Sequence, residues 1–151
     1  MNNTYLTAMI ESLEKKVSVL DEIINKNAEQ AALLKEEDFS FDKFDKNSEE
    51  KGVLIFRLEK LDDGFESLYE KVKEELAAHK AEHAAEIKRM QELIQNITDK
   101  SATIQADEAR NKAALENIFR NEREKLRAGR SGVKALKSYG QAMSFNKNDL
   151  S

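Results

Sequence analysis

The chain has 151 residues, enough for one domain, and its net charge of -4 argues against nucleic acid as the main partner. It contains neither cysteine nor proline, which excludes a disulfide framework and a thiolate metal site and leaves every position without the strongest helix breaker. Charged residues make up 36% and hydrophobic residues 40% of the chain, a mixture typical of long amphipathic helices. We therefore predict an all-α fold, a long antiparallel helical hairpin or three-helix bundle with coiled-coil-like packing.

No targeting or membrane segment is expected. The first residues lack a basic region, and Glu11 interrupts the apolar stretch that follows them. The longest strongly apolar run, Val53 to Phe56, is far shorter than the ~20 residues of a membrane helix. The absence of cysteine fits a reducing compartment. We expect a soluble, cytoplasmic protein without membrane insertion.

The first helix is predicted at about residues 4–36. Its apolar residues recur in steps of four and three, which indicates a heptad seam that packs against other helices. The seam residues are Leu6, Ile10, Leu13, Val17, Leu20, Ile24, Ala31 and Leu34. Asn27 takes one position of this seam. It is interpreted either as a partly solvated polar spot or as a residue that fixes register or pairing.

The first reversal is predicted where turn- and cap-forming residues cluster, at Asp38, Ser40 and Asp42. Three phenylalanines lie close by and are interpreted as a plug at the end of the bundle. They are Phe39, Phe41 and Phe44.

The second helix, at about residues 42–78, repeats the spacing of the first. Its seam residues are Leu54, Leu58, Leu61, Phe65, Leu68, Val72 and Leu76. Gly64 follows two aspartates without disturbing the phase, and an interior glycine costs only ~1 kcal/mol relative to alanine. We expect a continuous or slightly kinked helix, with a break and a newly capped helix as the alternative.

A second reversal is predicted near residues 78–84, where large apolar residues are missing. Without it, one helix would run over roughly 125 Å, far beyond the reach of the first helix. His79 and His83 lie here near several glutamates, and such a pair can chelate a metal. Because the sequence has neither a His-Glu-x-x-His nor a Glu-x-x-His motif, we interpret them as surface histidines. No metal site and no cofactor are predicted.

The third helix is predicted at about residues 84–128, ending at a C-cap pattern of two glycines, Gly129 and Gly132. The helical bundle would then comprise residues 1–128. Residues 129–151 would form a flexible tail with an amphipathic segment at 133–143. Nine basic and three acidic residues lie between positions 110 and 137, either as a solvated basic face or as a docking surface for an acidic partner.

Candidate partner-binding residues lie in this C-terminal part. The seam of the third helix is lined with alanines between Ile104 and Leu115, which allows close helix approach or leaves a groove. The candidates are the large apolar residues on either side of this section and in the tail: Ile104, Leu115, Ile118, Phe119, Leu126, Val133, Leu136, Tyr139 and Met143. One hypothesis places the tail in the groove until a partner displaces it.

No residue pattern points to catalysis. There is no cysteine nucleophile, no serine near a histidine in a known order and no glycine-rich phosphate loop. The carboxylates are spaced as partners of lysine and arginine on helix surfaces. We predict a binding protein and not an enzyme.

Two stretches of the chain carry a family resemblance. One runs from Glu49 through Lys51-Gly52-Val53-Leu54-Ile55 to Leu58, then Leu61-Asp62-Asp63-Gly64-Phe65 and Leu68-Tyr69. The other runs from Asp99-Lys100-Ser101 through Gln105-Ala106 to Ala109-Arg110-Asn111-Lys112, followed by Arg127 and the segment from Tyr139 to Met143. In order and spacing they resemble the FlgN family, the cytoplasmic chaperones of flagellar type III export.

The resemblance implies a chaperone for hook-associated proteins, which form the hook–filament junction. Such a chaperone binds the terminal helical segment of its cargo, prevents premature assembly and delivers the cargo to the export gate. Cargo would engage the C-terminal part, and Tyr139 matches best the tyrosine that contacts the gate. The alternative is a coiled-coil structural, assembly or regulatory protein that binds partner helices or the export ATPase. Such a protein would form a homodimer along the seam, with Asn27 as the pairing residue.

Overall fold

The computed structural model describes the backbone of residues 3–137 and the side chains of residues 4–129. Three helices follow one another along the chain: α1 (Asn3–Leu34), α2 (Phe41–Ala78) and α3 (Ala84–Lys137). The described residues contain no strand. Helix α1 packs against both α2 and α3, so the prediction of an all-α three-helix bundle is confirmed. The chain divides into two compact units, residues 1–109 and 110–151.

Two hydrophobic clusters hold the first unit together, and all three helices contribute to each. The first comprises Leu6, Met9, Leu13, Val72, Met90 and Leu93. The second comprises Val19, Ile23 and Leu54, with Ile104 packed at its edge. Along both clusters α1 and α3 run in the same direction and α2 runs in the opposite one. Each fully buried apolar side chain of this size stabilises the fold by about 1.5–3 kcal/mol.

Helix α1 buries a wider face than its predicted seam. Leu6 and Leu13 are buried as the seam predicts, but Met9 and Ile23 are buried as well. Ile24, a predicted seam residue, is only half-buried. A helix that contacts two neighbours needs an apolar stripe of about 100° or more, which a two-position seam does not supply. The extra buried positions of α1 therefore follow from its place between α2 and α3.

The first reversal ends at a capped helix start. The Ser40 hydroxyl accepts a hydrogen bond from the Lys43 backbone N–H at 3.2 Å, so α2 begins at Phe41, one residue before the predicted position. The Phe39 ring lies 4.8 Å from Phe41 in an edge-to-face contact and 5.8 Å from Phe44. Phe41 remains 44% exposed, whereas Phe39 and Phe44 are half-buried, so Phe41 does not take part in a buried plug.

The second reversal occupies residues 79–83, inside the predicted range. His79 leaves the helical conformation with φ -127° and ψ 45°, while its backbone N–H still donates to the Glu75 carbonyl at 2.9 Å. The Glu82 and His83 backbone N–H groups donate to the carbonyls of His79 and Lys80. Local hydrogen bonds thus close a turn that contains neither glycine nor proline.

Two glycines, Gly64 and Gly129, lie inside helices without interrupting them. Helix α2 passes Gly64 without a break, as expected. Helix α3 also passes Gly129 and continues to Lys137, the last residue described, so it extends at least nine residues beyond the predicted end at 128. A glycine C-cap requires left-handed backbone, which Gly129 does not adopt. The good helix formers at positions 134–137 offset the ~1 kcal/mol that each glycine costs.

A buried polar layer crosses the first unit next to the second hydrophobic cluster. Lys51 Nζ donates to Asn27 Oδ1 at 3.0 Å and to Gln30 Oε1 at 3.3 Å, and pairs with Glu108 Oε1 at 2.6 Å. Asn27 is 1% exposed, so it is buried and not a partly solvated spot. Its partner lies on α2 of the same chain.

None of the helices in the described part of the chain has the length and apolar character needed to cross a membrane.

Candidate functional site

Four of the predicted binding residues form one stripe on α3 in the second unit. They are Leu115, Ile118, Phe119 and Leu126, which we call the C-terminal stripe. At 100° of rotation per residue their spacing places all four within an arc of about 100°. Leu115 and Ile118 are half-buried, whereas Phe119 is 44% and Leu126 49% exposed. The exposed end of the stripe therefore offers large apolar side chains to solvent.

A shallow depression of about 400 Å³ lies along the exposed end of the stripe. Its lining combines the two apolar side chains with three charged ones: Glu116, Phe119, Glu122, Arg123 and Leu126. Glu122 falls inside the arc of the stripe and lies 3.5 Å from Lys125 Nζ. The surface is thus an apolar strip that Glu122 interrupts, with Glu116 and Arg123 at its sides.

The electrostatics of this segment are basic. Positions 110–129 hold six basic and three acidic residues. Arg120 Nη1 donates to Asn117 Oδ1 at 3.1 Å. Arg123 and Arg127 make no ion pair within residues 4–129, so their charges remain available to an incoming acidic group. The basic character predicted for this region is therefore partly uncompensated.

The remaining predicted residues divide into two groups. Ile104 packs against the second hydrophobic cluster of the first unit and is half-buried there. Val133 and Leu136 lie on α3, but their side chains are outside the described residues, as are Tyr139 and Met143 altogether. The alanine-lined groove between Ile104 and Leu115 crosses the division between the two units and stays a prediction.

A second apolar surface was not predicted from the sequence. It is a groove of about 620 Å³ between α2 and α3 in the first unit, which we call the α2–α3 groove. Its apolar lining is Phe65, Tyr69, Leu76, Ile87, Met90 and Ile94. Tyr69 is 44% and Ile94 47% exposed at its rim. Lys73 also lines it, and a hydrogen bond to Glu70 raises the pKa of this lysine above its usual value.

A third surface is a depression of about 650 Å³ between α1 and α2. Phe56 lines it and is 56% exposed. Lys60 Nζ lies 5.2 Å from the centre of the Phe56 ring, a cation–π distance.

A common sequence signal marks both of these unpredicted surfaces. Phe56 and Tyr69 are large apolar residues that do not belong to the predicted seam of α2. The seam positions turn toward α1, so the off-seam residues remain at the surface. On α3, Leu93 is buried and Ile94, one position later, is 47% exposed.

Metal-ligating side chains meet at the second reversal. Glu75, His79 and Glu82 hold donor atoms within 4.8 Å of one another. His83 lies in the adjoining turn and is buried, which corrects its interpretation as a surface residue, whereas His79 is exposed as expected. The turn brings His83 back toward the end of α2. The interpretation of His83 as a surface residue of a helix did not include this effect.

No protein-family model, no curated protein and no solved structure matches the chain in the three comparisons.

Proposed function

We propose that this protein is a cytoplasmic flagellar export chaperone of the FlgN type. It binds the terminal helical segment of a hook-associated protein of the hook–filament junction, prevents premature assembly and delivers the cargo to the export gate. The observation that carries the proposal is the C-terminal stripe, with Phe119 and Leu126 about half exposed on a long helix. The resemblance of the sequence to the FlgN family supplies the biological setting.

The stripe has the features of a surface that receives another helix. An amphipathic helix binds by laying its apolar face on an apolar groove or strip, with anchors spaced one or two turns apart. Phe119 and Leu126 are two turns apart on one face. Covering each of these side chains fully contributes up to about 1.5–3 kcal/mol. An aggregation-prone cargo helix would thus bury its apolar face on the C-terminal stripe instead of exposing it to water.

Charge at the stripe narrows the kind of cargo. The segment at positions 110–129 is basic overall, although the depression itself is lined by Glu116 and Glu122 as well as by Arg123. Complementary charge across an interface speeds encounter and disfavours wrong partners. The cargo segment expected here is an amphipathic helix whose apolar face is flanked by acidic residues.

The alternative of a coiled-coil dimer loses its main support. That reading depends on Asn27 as a pairing residue between two copies. Asn27 accepts from Lys51 of the same chain and is 1% exposed, so its side chain is already used within the bundle. This arrangement favours a protein that binds partners on its outer surfaces.

The test is a titration of the full chain with helical terminal segments of hook-associated proteins, read by calorimetry and by light scattering after size exclusion. We expect a stoichiometric complex. Phe119→Ala and Leu126→Ala each weaken it by at least about tenfold, since each loses more than about 1.4 kcal/mol of binding free energy. Phe56→Ala is the matched control, because Phe56 is a comparably exposed aromatic residue on another surface.

Two results would speak against the proposal. Self-association without any complex would favour the coiled-coil alternative. A complex that Phe56→Ala weakens as much as Phe119→Ala would move the binding site away from the C-terminal stripe.

A further inference from the structure

The second reversal gathers four side chains that carry metal-ligating atoms. Glu75 lies in the last turn of α2 and His79 ends this helix. Glu82 and His83 lie in the turn that precedes Ala84, the first residue of α3. Residues from both sides of the turn thus converge on one point.

The distances between the donor atoms are close to those around a bound ion. His79 Nε2 lies 3.8 Å from Glu75 Oε2, and His83 Nε2 lies 3.8 Å from Glu75 Oε1. The Glu75 carboxylate therefore stands between the two imidazoles. A tetrahedral zinc ion with bonds of about 2.0–2.2 Å holds neighbouring donor atoms roughly 3.3–3.6 Å apart. The two distances to the Glu75 carboxylate, 3.8 Å each, are slightly longer than that spacing.

His83 supplies an independent observation. Its side chain is 9% exposed, and Nε2 is fully buried with no hydrogen-bond partner. The 3.8 Å to Glu75 Oε1 is too long for a hydrogen bond. A buried polar atom left unpaired is costly, and such atoms usually have a partner or bind an ion. The nitrogen is directed at the carboxylate that also faces His79.

We propose that this cluster binds a divalent transition-metal ion of the zinc class. Glu75, His79 Nε2 and His83 Nε2 are the protein ligands, and water completes the coordination. His79 Nδ1 lies 3.5 Å from Glu82 Oε1, so the Glu82 carboxylate faces the second ring nitrogen and would orient the imidazole in the metal-bound state. Two imidazole ligands select zinc over Mg²⁺, which prefers oxygen donors.

The ion connects the end of α2 to the start of α3. The turn between them has neither glycine nor proline and is closed by a few local hydrogen bonds. Because the ligands come together only when the turn is formed, metal binding stabilises the folded chain. This role is independent of cargo binding at the C-terminal stripe.

The test is calorimetric titration of the untagged full chain with ZnCl₂ and, separately, with MgCl₂ at neutral pH. We expect one Zn²⁺ per chain and far weaker binding of Mg²⁺. At a Zn²⁺ concentration of 100 times the Kd, Tm rises by about 5–10 °C. His79→Ala, a change at a partly exposed residue, weakens binding by more than about 100-fold, and Glu82→Gln weakens it by about 10–100-fold.

Glu74→Gln is the matched control, because Glu74 is an exposed neighbour outside the cluster. It should leave the Zn²⁺ affinity unchanged. The circular dichroism of His79→Ala without metal checks that the variant keeps the helical fold. The proposal is wrong if the folded wild-type chain binds no Zn²⁺, if His79→Ala binds it as tightly as wild type, or if Mg²⁺ binds equally well.

Discussion

Lys51 Nζ lies 2.6 Å from Glu108 Oε1, and this ion pair joins α2 to α3 inside the bundle. The same ammonium group donates to Asn27 and Gln30 on α1. An ammonium has three donors, and here each one has an acceptor, with both neighbouring helices engaged. A single lysine therefore fixes the relative register of the three helices at this level.

Lys51→Ala should destabilise the fold by about 2–3 kcal/mol. The substitution removes a buried cation and deprives the polar groups around it of their donor. Urea unfolding followed by circular dichroism measures the change. Lys46→Ala, at an exposed lysine of the same helix, is the control and should stay within about 0.5 kcal/mol of wild type. Equal effects of the two changes would show that the buried network contributes nothing specific.

The Lys26–Glu50 pair makes stability depend on pH in a defined direction. Lys26 Nζ donates to Glu50 Oε2 at 2.9 Å, which lowers the pKa of Glu50 from 4.5 and raises that of Lys26 from 10.5. A lowered carboxyl pKa stabilises the fold above pH 4.5, and this stabilisation disappears as the pH falls through the folded-state pKa. The raised pKa of Lys26 stabilises the fold below pH 10.5, and this stabilisation disappears as the pH rises through the folded-state pKa.

Glu50→Gln should therefore reduce the free energy of unfolding slightly at pH 7 and have a smaller effect near pH 3. Urea unfolding at both pH values measures this difference. Glu49→Gln, at the adjacent exposed glutamate, is the control and should show no such change with pH. A Glu50→Gln effect of the same size at both pH values would rule out the ion pair as its cause.

Replacing the two interior glycines of α2 should stabilise the protein. A Cβ at Gly52 or Gly64 meets no atom within 4 Å, and both residues are exposed within a regular helix. Gly64→Ala and Gly52→Ala should each add about 0.5–1 kcal/mol, because alanine restricts the unfolded chain. The effects should add in the double variant, as the sites are three turns apart. Thermal unfolding is the measurement, and a lower Tm in either variant would contradict the continuous helix.

The stability of the protein should depend on the Ser40 hydroxyl that caps α2. Ser40→Ala removes the acceptor of the Lys43 N–H and should cost about 1 kcal/mol, whereas Ser40→Asp keeps an acceptor and should be nearly neutral. Ser18→Ala, at an exposed position within α1, is the control, and there the same substitution should have the opposite effect on stability. It should stabilise slightly, because alanine is the better residue in a helix interior.

The sequence predicted the parts of the fold that depend on local pattern. The seam of α2, from Leu54 to Val72, is the buried or half-buried face of the helix, because this helix presents a narrow stripe. The reversals at Ser40 and His79 lie where cap residues cluster or large apolar residues are missing. These features need no knowledge of the neighbouring helices.

Features that depend on tertiary packing were harder to predict. Met9 is buried because α1 contacts two helices, and packing selects Leu93 for the core while its neighbour Ile94 stays exposed. His83 becomes buried because the turn folds it back toward Glu75, which periodicity alone does not encode. Among the candidate binding residues, Ile104 packs against the second hydrophobic cluster, whereas Phe119 and Leu126 are exposed.

The parallel course of α1 and α3 has a consequence for how the chain folds. The α1–α2 hairpin forms from contacts such as Lys16–Asp62, whereas Asp21 meets Lys100 across 79 residues of sequence. Closing the longer loop costs more entropy, so we expect the hairpin to form first and α3 to dock last. Pulse-labelled hydrogen exchange would show this as later protection of amides in residues 87–104, and simultaneous protection of all three helices would contradict it. During synthesis, the face of α1 that packs against α3 would then stay exposed to solvent until the third helix has left the ribosome.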